Sequence, residues 1–513
     1  MMHKDIKKEL LEYFDKLLKE TPKIPSLPDA KPPELYKINI EYPLIPLFAY
    51  ANIYYDLVND ELVYNVIEPV LERDEELLIK HIKEEIINKI YQDVDNLTDK
   101  DKEEILLDLL LSTIKRYKIK YNKESLLKIF YYLWRDMIGL EKVEPLMHDP
   151  FIEDISCDGY DIPIYVNHRK YGILRTNISF TKNELERFVI KLAQKSGKYI
   201  SYAEPLLDAT LPDGSRVNAT YSSDVTTRGP TFTIRKFRKN PWTPIDLIRL
   251  GTLTPEILAY FWLAIQYRRN IIIIGGTSSG KTTLLNAIAM FIPPNARIVS
   301  IEDTREIQLY HKNWIPAVVR YSQEQEREID MFLLLKESFR QNPDYIIVGE
   351  VRGQEAYVMF QGMASGHAAL TTMHATSVKS LIERLTTPPI NLPKVLIELL
   401  DIVAIMQHDV EMGKNIRRLK EVDEIKTYRK YNWIFRWNPF NKAFEINAFS
   451  TVFEKISREY GISIDDLWKE WDLRRKLLWK LYQIGISDYN TLSKIISMYY
   501  LNKEAVLNYY NIA

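Results

Sequence analysis

The clearest chemistry in this chain sits at Gly275, Gly276, Thr277, Ser278, Ser279, Gly280, Lys281 and Thr282, which fill the spacing G-x-x-x-x-G-K-[ST] at every position. Glycines let backbone N–H groups crowd around a phosphate, and a helix N-terminus behind them adds its positive end. Lys281 would reach the β- and γ-phosphates, Thr282 would offer its hydroxyl to Mg²⁺, and Thr283 completes the nucleotide-binding stretch. Such a turn needs a strand before it and a helix after it. Ile271, Ile272, Ile273 and Ile274 predict a strand buried on both faces, as in a parallel sheet, and an amphipathic helix start follows the lysine. Strand, glycine-rich turn and helix together predict a nucleoside triphosphate site, with ATP and Mg²⁺ as its ligands.

Three further segments follow in the order and spacing of a RecA-like sheet. Residues 298–306 form an apolar run ending in acids, and the C-terminal ends of strands are where open α/β sheets hold ligands. Glu306 is the candidate base that orients and deprotonates the attacking water, with Glu302 next in line. Acids at a strand end also serve as helix caps or solvated turns. Residues 340–352 carry a second apolar strand to Gly349 and Glu350, where the usual Walker B aspartate is replaced. Glu350 is the candidate Mg²⁺ carboxylate, acting through water because Mg²⁺ gives up its waters reluctantly. Residues 366–376 place His367 and His374 on either side of a third strand. No cysteine or H-E-x-x-H partner accompanies them, which argues against a metal pair. His367 is expected to be structural, and His374 to sense the γ-phosphate.

Length and composition bound the rest. At about 150 residues per domain, 513 residues predict roughly three or four domains. Lys plus Arg (69) against Asp plus Glu (70) leaves a net charge of −1, so no global field draws nucleic acid. The single cysteine, Cys157, excludes a disulfide framework and a four-cysteine zinc site, and suits a reducing cytoplasm. No apolar run approaches the ~20 residues of a membrane span, and no signal peptide is visible.

The chain then reads as four parts. Residues 1–35 hold an amphipathic helix with Ile6, Leu10, Phe14, Leu17 and Leu18 on one stripe, then a stiff linker with Pro22, Pro25, Pro28, Pro32 and Pro33. The stripe fits packing on the helix's own domain, or docking on a partner or membrane surface. Residues 36–145 combine a hairpin over 53–67, turning at Asn59 and Asp60, with a helical lobe. Residues 146–238 form an α/β, PAS-like lobe with strands near 152–156, 164–167, 216–221 and 231–234 and a helix near 183–196. A basic stretch ending at Pro241 marks the main linker. Residues 239–513 form the RecA-like domain, with a strand meander near 433–449 and a C-terminal helical extension.

The P-loop, the E-D-x-x-E box, the Pro-Asp-x-Ile-Ile-Val-Gly-Glu-x-Arg segment and the Gly-His…Thr-x-His box, in that order, resemble the type II/type IV secretion superfamily ATPases. These are the hexameric motors of type II secretion, type IV pili, VirB11-like systems and archaeal flagella (archaella), and the resemblance covers roughly 205–410. It implies that Glu306 is the catalytic base and that Glu350 serves the metal. It also implies arginines from the preceding domain at the phosphates, where Arg216, Arg228 and Arg235 match the family's segments. Further implications are a homo-hexamer in the cytoplasm, peripheral at the inner face of the cell membrane, that drives a polytopic membrane platform protein with accessory motor proteins, and no nucleic acid partner. The missing zinc motif, the C-terminal helices and the proline-rich arm resemble the archaeal branch, first the archaellum motor and second a type IV pilus assembly ATPase. A nucleic-acid translocase on the same core would show a basic groove interleaved with aromatics. A slow nucleotide-binding scaffold would lack a working base.

Overall fold

The computed structural model describes residues 2–20, 25, 27–28, 35–89, 98–119, 121–237, 241–320, 329–411 and 414–512. The chain divides into two compact units, Met1–Phe237 and Arg238–Ala513. Each is built on its own nine-stranded sheet.

In the first unit, β1 (Asn39–Ile45), β2 (Ala49–Asp56) and β3 (Glu61–Ile67) form an antiparallel meander. The expected hairpin turns at Asp60, whose φ of 57° an aspartate tolerates better than most residues. Helices α1 (Met2–Lys19), α2 (Arg73–Lys89), α3 (Asp99–Tyr117), α4 (Lys123–Met137) and α5 (Glu144–His148) complete the first half. The second half supplies β4 (Ile152–Cys157), β5 (Tyr165–His168), β6 (Gly172–Thr176), α6 (Lys182–Lys195), β7 (Leu206–Thr210), β8 (Arg216–Thr220) and β9 (Thr231–Arg235).

The sheet runs β1-β2-β3-β6-β5-β4-β9-β8-β7. A division at 145/146 therefore does not separate two sheets. β3 pairs in parallel with β6 through Val63 opposite Arg175 and Tyr64 opposite Thr176. The hairpin's open edge needs partners for its backbone groups, and the α/β lobe provides them.

Nor does the N-terminal helix stand apart as an arm. Leu10, Phe14 and Leu17 are buried in the same core, and Phe14 packs edge-on to Phe130 and Trp134 of α4 at 4.9 and 5.5 Å. Lys7 pairs with Asp108 and Glu104 of α3 at 2.7 and 3.3 Å. The apolar stripe is spent on its own unit. The side chain of Ile6 and the prolines at 22, 32 and 33 lie outside the described residues.

The second unit opens with α7 (Pro244–Arg249) and α8 (Pro255–Gln266), then β10 (Ile271–Gly275), α9 (Lys281–Ala289), β11 (Ile298–Glu302) and β12 (Trp314–Val318). There follow α10 (Met331–Arg340), β13 (Tyr345–Val348), α11 (Glu355–Ala364), β14 (Ala368–Met373) and α12 (Val378–Thr386). The chain ends with β15 (Ile402–Glu411), β16 (Lys414–Thr427), β17 (Lys430–Asn438), β18 (Ala443–Ile446), α13 (Thr451–Tyr460), α14 (Ile464–Gln483), α15 (Tyr489–Leu501) and α16 (Lys503–Tyr509).

The sheet order is β12-β11-β13-β14-β10-β15-β16-β17-β18, parallel through β15 and antiparallel beyond it. Every residue of β10, β11, β13 and β14 is buried, because helices cover both faces. That double burial is why these strands are apolar at successive positions. α8 is buried at Pro255 and at every residue from Ile257 to Ile265, with only Glu256 half-buried in its first turn, so it has no polar face to show. The C-terminal helices cover it: Trp262 packs on Tyr499 of α15 at 4.9 Å, and the buried Arg474 guanidinium of α14 lies 4.9 Å above the Trp262 ring. Among the described residues, no helix is long and apolar enough to cross a membrane. The fold is α/β: a RecA-like P-loop unit preceded by an α/β unit with a helical lobe.

Candidate nucleotide site

The glycine-rich turn follows β10 and opens α9. Gly275 lies opposite Met406 of β15, and a Cβ on it would stand 2.5 Å from Ser279 Oγ and 2.6 Å from the Met406 carbonyl oxygen. Only glycine fits there. Ser278 (φ 57°) and Gly280 (φ 91°) take left-handed conformations, the second of them as N-cap of α9. Gly276, Thr277 and Ser278 are exposed, and Thr282 and Thr283 are half-buried on the first helical turn. This is the cradle that a phosphate chain fits: a bent, open backbone ahead of a helix N-terminus.

Lys281 is 8% exposed, and its Nζ donates to the Gly276 carbonyl at 2.9 Å and stands 3.5 Å from His374 Nδ1. Burial holds this ammonium below its usual range; Glu350 and Glu306 oppose that shift and Arg352 adds to it. His374 Nε2 lies 2.8 Å from Glu350 Oε1, too far out of line to donate, so Oε1 accepts no hydrogen bond among the described residues. Glu350 Oε2 accepts from Arg352 Nε at 3.1 Å and from Nη2. Lys281, His374 and Glu350 therefore form a line across the ends of β10, β14 and β13, three neighbours in the sheet.

Glu306 reaches this region by a different route. β11 is not next to β10; β13 and β14 stand between them. The chain after β11 instead returns to the helix of the P-loop, where the Asn286 side chain donates to the Glu306 carbonyl at 2.9 Å and accepts from Gln308 N–H at 3.0 Å. The Glu306 carboxylate is exposed, whereas Glu302 is 2% exposed. Glu302 Oε1 accepts the backbone N–H groups of Glu306 and Ile307, both at 2.9 Å, and Oε2 has no hydrogen-bond partner among the described residues. Burial pushes the Glu302 carboxyl up to about 7. Glu302 also accounts for Gly349, since a Cβ there would stand 3.1 Å from Glu302 Cγ. An aspartate at that position would press a second carboxylate onto a buried one.

The donors near the P-loop suit Mg²⁺. Among the described residues, no three His, Cys, Asp or Glu side chains gather to hold a metal. The Thr282 hydroxyl and the free acceptor capacity of Glu350 Oε1 offer oxygen ligands only, too few for an all-protein cage. That set fits an ion that keeps waters and takes phosphate oxygens.

Arg216, Arg228 and Arg235 all belong to the first unit. Arg216 of β8 lies directly opposite Arg235 of β9. Like charges opposed across strands cost stability, and here aspartates offset them: Asp208 holds Arg216 at 2.7 Å, and Asp154 holds Arg235 at 3.0 Å. Arg228 is exposed on the loop before β9, its carbonyl accepting from Tyr160 N–H at 3.1 Å. His367 packs on Phe339 and shares a contact of 3.2 Å with the Gly362 carbonyl, a structural position.

Two participants escape the sequence reading. Arg352 engages Glu350 directly and lies 3.8 Å from Asp303, beside a cavity of about 430 Å³. Its signal was its place two residues beyond Glu350. Asn286 carries no local signal, because its role depends on a segment that returns from another strand.

A family model described as "Type II/IV secretion system protein" matches residues 141–423, more than half of the chain. An uncharacterized protein of Methanocaldococcus jannaschii is 36% identical over 499 residues, covering 91% of this chain and 90% of that relative. The type IV secretion system protein PtlH of Bordetella pertussis is 32% identical over 231 residues, 40% of this chain and 68% of its own. The crystal structure of the Brucella suis VirB11 ATPase of type IV secretion, in complex with sulphate, is 25% identical with a TM-score of 0.29, covering 55% of this chain and 91% of that one. The matched residues take in the P-loop, both acidic segments and the histidine box, and the chain belongs to the type II/IV secretion system protein family.

Proposed function

We propose that this chain is a Mg²⁺-dependent ATPase that works as a homo-hexameric ring motor. The observation that carries the reading is the line from Lys281 through His374 to Glu350 across three neighbouring strand ends, with the Glu306 segment tied back to the P-loop helix. In this reading the P-loop amides and Lys281 bind the phosphates, and Thr282 and Glu350 hold Mg²⁺. When bound, the metal draws charge from the phosphate oxygens. Glu306, exposed and fixed by its backbone, takes a proton from the attacking water. His374 touches both Lys281 and Glu350, so a shift at the γ-phosphate reaches it from two sides. Arg216, Arg228 and Arg235 cover the charge that develops on the transferred group.

The ring is cytoplasmic, peripheral at the inner face of the cell membrane. Closing motions between its units pass to a polytopic membrane platform protein and accessory motor proteins. Similarity along nine tenths of both chains to an archaeal protein supports the archaeal branch. Within that branch the archaellum motor is the first reading and a type IV pilus assembly ATPase the second. The likeness to PtlH supports a secretion ATPase as the alternative. The balanced charge supports no nucleic acid partner.

Phosphate release by the full chain tests the reading. Hydrolysis of ATP is expected only with Mg²⁺, unaffected by DNA and abolished by Lys281→Ala. Turnover by Lys281→Ala at the wild-type rate would overturn it. Gene deletion, scored separately for swimming and for surface pili, separates the two filaments.

A further inference from the structure

β15 outruns the strand it borders. β10 ends at Gly275, opposite Met406, whereas β15 continues to Glu411 and returns as β16. The hairpin therefore projects past the mouth of the P-loop. Successive strand residues point to opposite faces. Met406 sits against the P-loop, its Cε 3.5 Å from where a Gly280 Cβ would stand. His408 returns to that same side, and its register partner on β16 is Arg417. The Arg417 stem follows suit, with Cδ and Cβ 3.8 and 3.9 Å from that Gly280 position. Both His408 and Arg417 are exposed.

Gly280 immediately precedes Lys281 and caps α9, on the turn whose amides cradle the α- and β-phosphates in a P-loop. An arginine there presents a planar fork able to bind two phosphate oxygens at once. We propose that Arg417 is a nucleotide-binding residue, supplied by β16 of the same unit, that closes over the α/β-phosphate side of the P-loop. The inference rests on the P-loop binding a nucleotide, and assigns a contact that no motif marks.

Its position separates it from arginines that act on the γ-phosphate. Arg417 stands beside Gly280 on β16, across β10 from β14 and β13, whose ends carry His374 and Glu350. The α- and β-phosphates are present before and after hydrolysis, so the contact binds ground state and transition state alike. Such uniform binding lowers KM and leaves kcat unchanged.

The test is titration of the full chain with ADP and with a non-hydrolysable ATP analogue, alongside steady-state turnover. Arg417→Ala is expected to weaken both ligands equally, by roughly 10- to 100-fold for the loss of a charge-assisted bond, with kcat within about twofold of wild type. Arg417→Gln keeps the stem against Gly280 and removes the charge, and the same loss is expected of it. Unchanged affinity for both ligands in either variant overturns the proposal. So does a loss confined to the ATP analogue with a fallen kcat, which would make Arg417 a γ-phosphate residue. Lys281→Ala is the control. If it binds nucleotide as wild type does, the P-loop reading itself fails; if it loses binding while both Arg417 variants keep theirs, only this inference falls.

Discussion

Glu302 and Glu306 belong to one acidic box, yet the fold gives them different surroundings. Glu306 shows its carboxylate to solvent, while Glu302 is buried and accepts the Glu306 and Ile307 N–H groups. Glu306→Gln is expected to leave nucleotide affinity near wild type and to lower kcat by ~10²–10⁴, the usual worth of a positioned base. Normal hydrolysis by that variant would remove Glu306 from the mechanism. Glu302 acts on Glu306 by position, and its titration carries a second expectation. Its carboxyl is raised from the ordinary 4.5 to about 7, so between those values the folded chain holds a proton that the unfolded chain has released. Stability therefore falls as pH rises through that window, by up to about 3 kcal/mol, and is level above it. Urea denaturation across pH 4.5–7 checks this: Glu302→Gln should flatten the slope, leaving the share of Asp423, which burial also raises to about 7. An unaltered slope would contradict it.

At the scale of elements, α1 belongs to the packing of the first unit. Phe14 is fully buried among Phe48, Phe130 and Trp134. Phe14→Ala should cost about 3–5 kcal/mol, the usual price of emptying an aromatic core site, read as a lower midpoint in thermal or urea unfolding. A variant with the wild-type midpoint would return α1 to the role of an outward-facing arm. The sequence showed α1, the hairpin, α6 and the P-loop elements, because their periodicity or turn chemistry is local. It did not show β1, β6 or β7. β6 starts at a glycine and β7 follows a proline, turn signals that mark both stretches as loop. Their strand state comes from their neighbours in the sheet.

Across the whole molecule, the candidate arginines and the P-loop belong to different units. Arg216 and Arg235 face each other across two strands, at a cost that Asp208 and Asp154 offset. Arg216→Ala or Arg235→Ala should cut turnover by ~10³ or more while ATP binding changes little. If the ring shares its sites, mixing either variant with Lys281→Ala should restore part of the activity, since some sites then combine intact halves. Inactivity at every ratio, with assembly confirmed by light scattering, would assign the arginines to their own subunit. Activity per subunit should also rise with protein concentration as rings close.

The sequence alone determined the P-loop, because a phosphate cradle is made by consecutive backbone groups whose conformations glycine and serine permit. It also determined the buried parallel strands, because burial on both faces leaves an apolar run. Strand order is a different kind of information, set by long-range pairing that no local period encodes. Only the tertiary structure brought His374 between Lys281 and Glu350, placed β13 and β14 between β11 and β10, and used Asn286 to draw Glu306 back. It also joined the first two lobes through the pairing of β3 with β6 and laid Arg417 against Gly280. Each of these contacts links segments far apart in the chain, where the sequence holds the side chains but not their distances.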